Sequence, residues 1–179
     1  MVPMRRLLLL AFSFAVAGET GTPPGPDLPL LPLSLESELS PALDRAWIAR
    51  SLDELAEGAK KRVAEAPDAH ARLETLLKYL TQERSFTPEA PGASLQSLTL
   101  TSLIETGRGA SETLALLYAE LARRHGLVLV PCYAPDRLLL RFDEKGTQTF
   151  VDLADKTVGL TEAAYRLKLG LPEGSGLDA

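Results

Sequence analysis

Residues 107–126 read G-R-G-A-S-E-T-L-A-L-L-Y-A-E-L-A-R-R-H-G, a glycine-rich turn that opens into a helix. Leu114, Leu117, Tyr118 and Leu121 recur at three- and four-residue spacing, which lines one buried helical face. Ser111 stands where an N-cap belongs, with a hydroxyl that accepts a backbone N–H of the first turn. Arg123, Arg124 and His125 crowd the last turn, where positive charge suits the helix dipole, so the His125 proton is expected to be favoured. Gly126 supplies the left-handed residue that stops the helix.

Downstream of this helix the period changes. Residues 128–133, V-L-V-P-C-Y, read as a strand in which Pro131 marks an edge position or a bulge. Residues 137–142 and 147–153 read as two more, joined by the polar turn D-E-K-G at hairpin spacing. Residues 160–169 read as a closing helix, with Thr161 as its cap and G-L-P as its stop.

Upstream the pattern is helical. Leu39, Leu43 and Trp47 lie four apart, and Leu52, Leu55, Ala56, Ala59 and Val63 continue the face. A break near Arg50–Ser51 is expected, since Ser51 with Glu54 three residues on forms a capping box. Pro67–Asp68 then punctuates, and Leu73, Leu76, Leu77 and Leu80 line the next helix. A loop holding Pro88, Pro91 and Gly92 follows, and Leu98, Leu100, Leu103 and Ile104 anchor a short segment before the central turn. Helices first, then a central helix feeding a small antiparallel sheet, predict an α+β fold.

Residues 1–17 carry the parts of a secretory signal peptide. Arg5 and Arg6 form the charged region, an apolar run follows, and A-V-A supplies the small-residue cleavage site. The run is shorter than the roughly 20 apolar residues of a spanning helix, so no transmembrane segment is expected after cleavage. Residues 18–33 form a Pro-rich linker, and residues 34–172 one domain followed by a flexible tail at 173–179. The net charge of −5 becomes −7 without the two leader arginines. Nucleic acid and anionic membranes are therefore not expected partners.

The single cysteine, Cys132, forbids an intramolecular disulfide and reads as a small buried hydrophobe on its strand. His70, in a first helical turn, reads as solvated. Two isolated histidines make no metal-ligand spacing, so no metal and no cofactor are expected. The Lys60-Lys61-Arg62 run reads as a solvated helix face, and Asp143 and Glu144 as a solvated hairpin tip.

The order of elements and several segments resemble the transglutaminase-like superfamily, with the bacterial SirB-type branch as the nearest likeness. The matching segments are S-L-D-E-L-A-E-G-A (51–59), L-L-K-Y-L-T-Q-E-R-S-F (76–86), S-L-I-E-T-G-R-G (102–109), L-L-Y-A-E-L-A-R-R-H-G-L (116–127), A-P-D-R-L-L-L-R-F (134–142) and F-V-D-L (150–153). The resemblance implies a papain-like core. Its catalytic members place a cysteine at the N-terminus of the central helix, a histidine on the next strand and an aspartate on the one after. There the helix terminus lowers the thiol's pKa, and the histidine–aspartate pair supplies and orients the base.

Carried over by position, Ser111 takes the nucleophile's place, Arg137 the histidine's and Asp152 the aspartate's. An arginine cannot accept a proton near neutral pH, and a serine needs an adjacent base. Arg137 and Asp152, on neighbouring strands, are expected to pair with each other; the sharper alternative joins Ser111 and Arg137 into a ligand site for a carboxylate or phosphate. The expectation is an exported, periplasmic or secreted domain that is not an enzyme. It would bind a peptide, a protein or a cell-wall fragment. The rival is a hydrolase or acyltransferase with Ser111 or Cys132 as nucleophile and His125 or Glu112 as base.

Overall fold

A computed structural model of the chain describes Glu36 and residues 44–89, 95–134 and 137–170. The leader, the linker, the 173–179 tail, and the face expected at Leu39 and Leu43 lie outside these residues.

Helix α1, Arg45–Glu65, is capped by Asp44, whose carboxylate accepts the Trp47 N–H at 2.9 Å. It runs unbroken through Arg50 and Ser51, so the break expected there does not occur. Ile48, Leu52, Leu55, Ala59 and Val63 form one continuous buried stripe, and an interruption would pull it off the core. Helix α2, Ala69–Lys78, starts where Asp68 accepts the Ala71 N–H at 2.8 Å. It widens into a π-helical turn, Tyr79–Glu83. A 3₁₀ turn, Leu95–Leu98, and helix α3, Leu100–Thr106, lead to the central helix. Helix α4, Ser111–Arg124, buries Leu114, Leu117, Tyr118 and Leu121 as the spacing predicts, and Gly126 is left-handed at φ 76°.

The sheet is an antiparallel meander in which every strand follows its neighbour in sequence. Strand β3, Leu129–Ala134, is one edge, where Pro131 is tolerated. It is followed by β4, Arg137–Glu144, β5, Thr147–Asp152, and β6, Thr157–Leu160. The β4–β5 turn is tighter than the four polar residues suggest. Lys145 and Gly146, at φ 51° and 82°, make the two-residue connection whose twist suits a hairpin. Strand β6 and a two-residue parallel pairing of β1, Thr87–Pro88, with β2, Arg108–Gly109, are additions to the sequence reading. Helix α5, Glu162–Leu169, is capped by Thr161, which accepts the Ala164 N–H at 3.3 Å, and is stopped by left-handed Gly170.

The sheet separates two hydrophobic clusters. Leu129, Leu138, Leu140 and Val151 join the large core of α1, α2 and α4. Cys132, Leu139 and Phe150 face the other way and pack on Tyr165 of α5. This is an α+β domain, with the helical layer on one face of the sheet and, among the described residues, a single short helix on the other.

Candidate functional site

The turn that presents Ser111 is fixed by backbone contacts. Gly107, left-handed at φ 72°, ends α3. Gly109 follows, where a Cβ would lie 3.1 Å from the Ser97 carbonyl oxygen and 3.2 Å from Leu103, so only glycine fits without a shift. The Ala110 N–H donates to the Ser97 carbonyl at 2.7 Å, and the Thr113 hydroxyl reaches the same oxygen at 3.4 Å.

Ala110 occupies the cap position with extended backbone and no side-chain hydrogen bond, and Ser111 is the first helical residue. The capping role expected of Ser111 is therefore overturned. From its position inside the first turn the hydroxyl donates sideways to the Glu112 carboxylate at 3.1 Å. Ser111 is partly exposed and Glu112 exposed. Across from them on β3, burial and then the Glu112 charge push the Tyr133 phenol up.

Arg137 and Asp152 meet at adjoining ends of the antiparallel β4 and β5. Arg137 Nη1 lies 3.0 Å from Asp152 Oδ2 and 2.9 Å from Asp155 Oδ2. The other Asp152 oxygen accepts the backbone N–H groups of Ala154 and Asp155 at 3.0 and 3.1 Å. Lys168 of α5 adds its ammonium 2.6 Å from Asp155 and 3.9 Å from Asp152. The Lys168 contact, followed by the charge of Arg137, holds the Asp155 carboxyl below its usual range. Tyr165, fully buried, places its hydroxyl 3.3 Å from Thr157, and burial together with Asp152 raises its phenol.

Strand alternation puts Arg137 and Asp152 on the face shared by Leu139 and Phe150, the one covered by α5. Helix α4 packs on the opposite face. Ser111 is thus tied to Glu112, while Arg137 is committed to two carboxylates beneath α5. The partners that sequence reasoning missed are Asp155, Tyr165 and Lys168. The i, i+3 spacing of Tyr165 and Lys168 was the available signal, since it places both on one helical face.

The remaining candidates fall elsewhere. Cys132 is buried among Leu139, Phe150 and Tyr165, with its sulfur 3.6 Å from the Val130 carbonyl oxygen. His125 caps the far end of α4, about 20 Å from Ser111 at 1.5 Å per residue, too distant to serve it as a base. Burial and then the neighbouring Arg72 lower the His125 pKa, which reverses the expectation from the helix dipole. The Arg72 guanidinium donates to the His125 carbonyl, so a charge already stands where a second would go. His70 is exposed, pairs with Glu74 at 3.5 Å and leaves its ring against Gly159 of β6. Among the described residues, no three His, Cys, Asp or Glu side chains are grouped to hold a metal ion, and no helix is long and apolar enough to cross a membrane.

A family model described as "Transglutaminase-like superfamily" matches residues 46–176. No curated protein and no solved structure matches the chain.

Proposed function

The chain belongs to the transglutaminase-like superfamily, and from that membership we propose that it is a catalytically degenerate member acting as a binding or scaffold module. Within the superfamily we place it in the SirB-type branch, on the ordered segments between residues 51 and 153. The observation that carries the reading is the ion pair of Arg137 with Asp152 at 3.0 Å. At the position where catalytic members hold a base stands a guanidinium that cannot take up a proton, and it neutralises the acid that would orient one.

The site is proposed to engage a peptide, a protein partner or a cell-wall fragment. Export to the periplasm or the medium, by way of the leader at residues 1–17, fits such partners. The test is amide hydrolysis and acyl transfer by the purified chain on a panel of peptide amides. The expected result is turnover no faster than buffer. Turnover that disappears in Ser111→Ala would overturn the proposal.

One observation favours a second reading. The Ser111 hydroxyl donates to the Glu112 carboxylate at 3.1 Å, a serine–acid pair at a helix N-terminus. A fluorophosphonate probe that modifies Ser111 far faster than other hydroxyls, and loses that speed in Glu112→Gln, selects this reading.

A further inference from the structure

We propose that the groove between the tip of the β4–β5 hairpin and the first turns of α5 binds a neutral, hydroxyl-rich oligosaccharide. The groove is separate from the Ser111 and Arg137 positions. Asp143 lies six residues along β4 from Arg137, about 20 Å at the rise of an antiparallel strand.

A cavity of about 710 Å³ opens there, within the size range of small-ligand sites. Its polar wall is Asp143, Thr147 and Gln148 from the hairpin, with Thr161, Glu162 and Arg166 from α5. Helix α5 is fastened to the sheet at its middle and near its C-terminal end. Tyr165 is the one buried residue of the helix and stacks edge-on against Phe150 at 5.7 Å, and Lys168 is tied to Asp155. The first turn brings Glu162 and Ala163 toward the hairpin, and the space between stays open.

The chemistry of the wall selects the ligand. Arg166 lies 2.6 Å from Glu162, and Arg141 lies 3.2 Å from Asp143. Each carboxylate is matched by a guanidinium, so an ion of either sign meets a balanced wall. The remainder is threonine, glutamine, glycine and alanine, which give an apolar ligand little surface to bury. Hydrogen bonding is what is left. Carboxylate lone pairs accept, the Gln148 amide donates and accepts, and the threonine hydroxyls do either. A sugar hydroxyl donates and accepts through one oxygen, and a row of them matches such a wall.

The test is a titration of the ¹⁵N-labelled full chain, followed by amide shifts, with cellotriose, chitotriose, glutarate and a leucine tripeptide. Expected are shifts confined to the hairpin tip and the start of α5 on adding a trisaccharide, saturating near millimolar concentration, a Kd of about 10⁻³ M. Preference for chitotriose identifies an acetamido sugar and preference for cellotriose a plain glucan, and both support the proposal. Gln148→Ala, a surface change, and Arg166→Gln should each weaken binding about fivefold, as loss of one hydrogen bond does. The proposal is overturned if neither trisaccharide moves these amides by ~20 mM, well above a millimolar Kd. It is equally overturned if glutarate or the tripeptide moves them at the same or lower concentration, or if the sugars shift the Ser111 turn instead.

Discussion

Arg137 and Asp152 are joined at 3.0 Å across the adjoining ends of β4 and β5, and the carboxylate of that pair has no exposure to solvent. The pair is a charge balance that needs both members. Replacing Arg137 by methionine leaves a buried carboxylate with Lys168 as its nearest cation, 3.9 Å away. The expected loss is about 3 kcal/mol, the scale for breaking a buried pair from one side. Chemical denaturation measures it. In Arg137→Met/Asp152→Asn most of the loss should return, because the uncompensated charge is gone. A double variant as unstable as Arg137→Met alone would show that packing, and not charge, sets the cost.

Ser111→Ala should change stability by no more than about 0.5 kcal/mol, since Ser111 lies inside the first turn and Ala110 holds the cap. Thr161→Ala is the comparison. There a side-chain cap accepts the Ala164 N–H, and its loss should cost about 1 kcal/mol. Equal losses in the two variants would return the capping role to Ser111.

These positions show what the sequence discloses and what it withholds. The faces of α2 and α4, the helix start at Pro67–Asp68, the cap at Thr161, the stops at Gly126 and Gly170, and the edge position of Pro131 follow from local periods and turn chemistry. They needed nothing beyond a few neighbouring residues. The Arg137–Asp152 pair was legible because the two residues fall at adjoining ends of a hairpin. Strand β6 was not. All four of its residues are half-buried, which erases alternation, and Gly159 at φ 103° breaks the register with β5. The β1–β2 pairing is two residues long and joins segments some twenty positions apart, so no local pattern announces it. Ser111 was misread by one position, the ordinary uncertainty of a helix end. His125 was misread because a dipole acts locally, whereas burial and Arg72 arrive from other helices.

That last point has a measurable consequence in pH. The folded chain holds the His125 pKa below its ordinary 6.5, burial first and Arg72 second. Below that value the unfolded chain takes up a proton that the folded chain resists. The stability contributed by a neutral His125 is therefore complete above pH 6.5 and is lost as pH falls below it toward the lowered folded value. Urea midpoints of the wild-type chain should drop more steeply between about pH 7 and pH 5 than those of His125→Gln, with shared carboxylate contributions cancelling in the comparison. Parallel curves would show that His125 titrates normally.

Gly58 offers a test of packing against propensity. It lies mid-helix in α1, where alanine ordinarily improves a helix by about 1 kcal/mol. A Cβ there would run into the hydroxyl of Tyr79, a buried residue of the π-helical turn that also lies beneath the Arg62 guanidinium. Tyr79 is buried, so a retreat of its ring has to displace packed neighbours. Gly58→Ala is therefore expected to destabilise by about 1–3 kcal/mol, the scale of overpacking, against the propensity trend. Tyr79→Phe removes the obstructing oxygen, and in that background Gly58→Ala should become neutral or stabilising. Thermal denaturation of the four-member cycle reads the coupling directly. A stabilising Gly58→Ala in the wild-type background would place Tyr79 farther from α1 than the structure does.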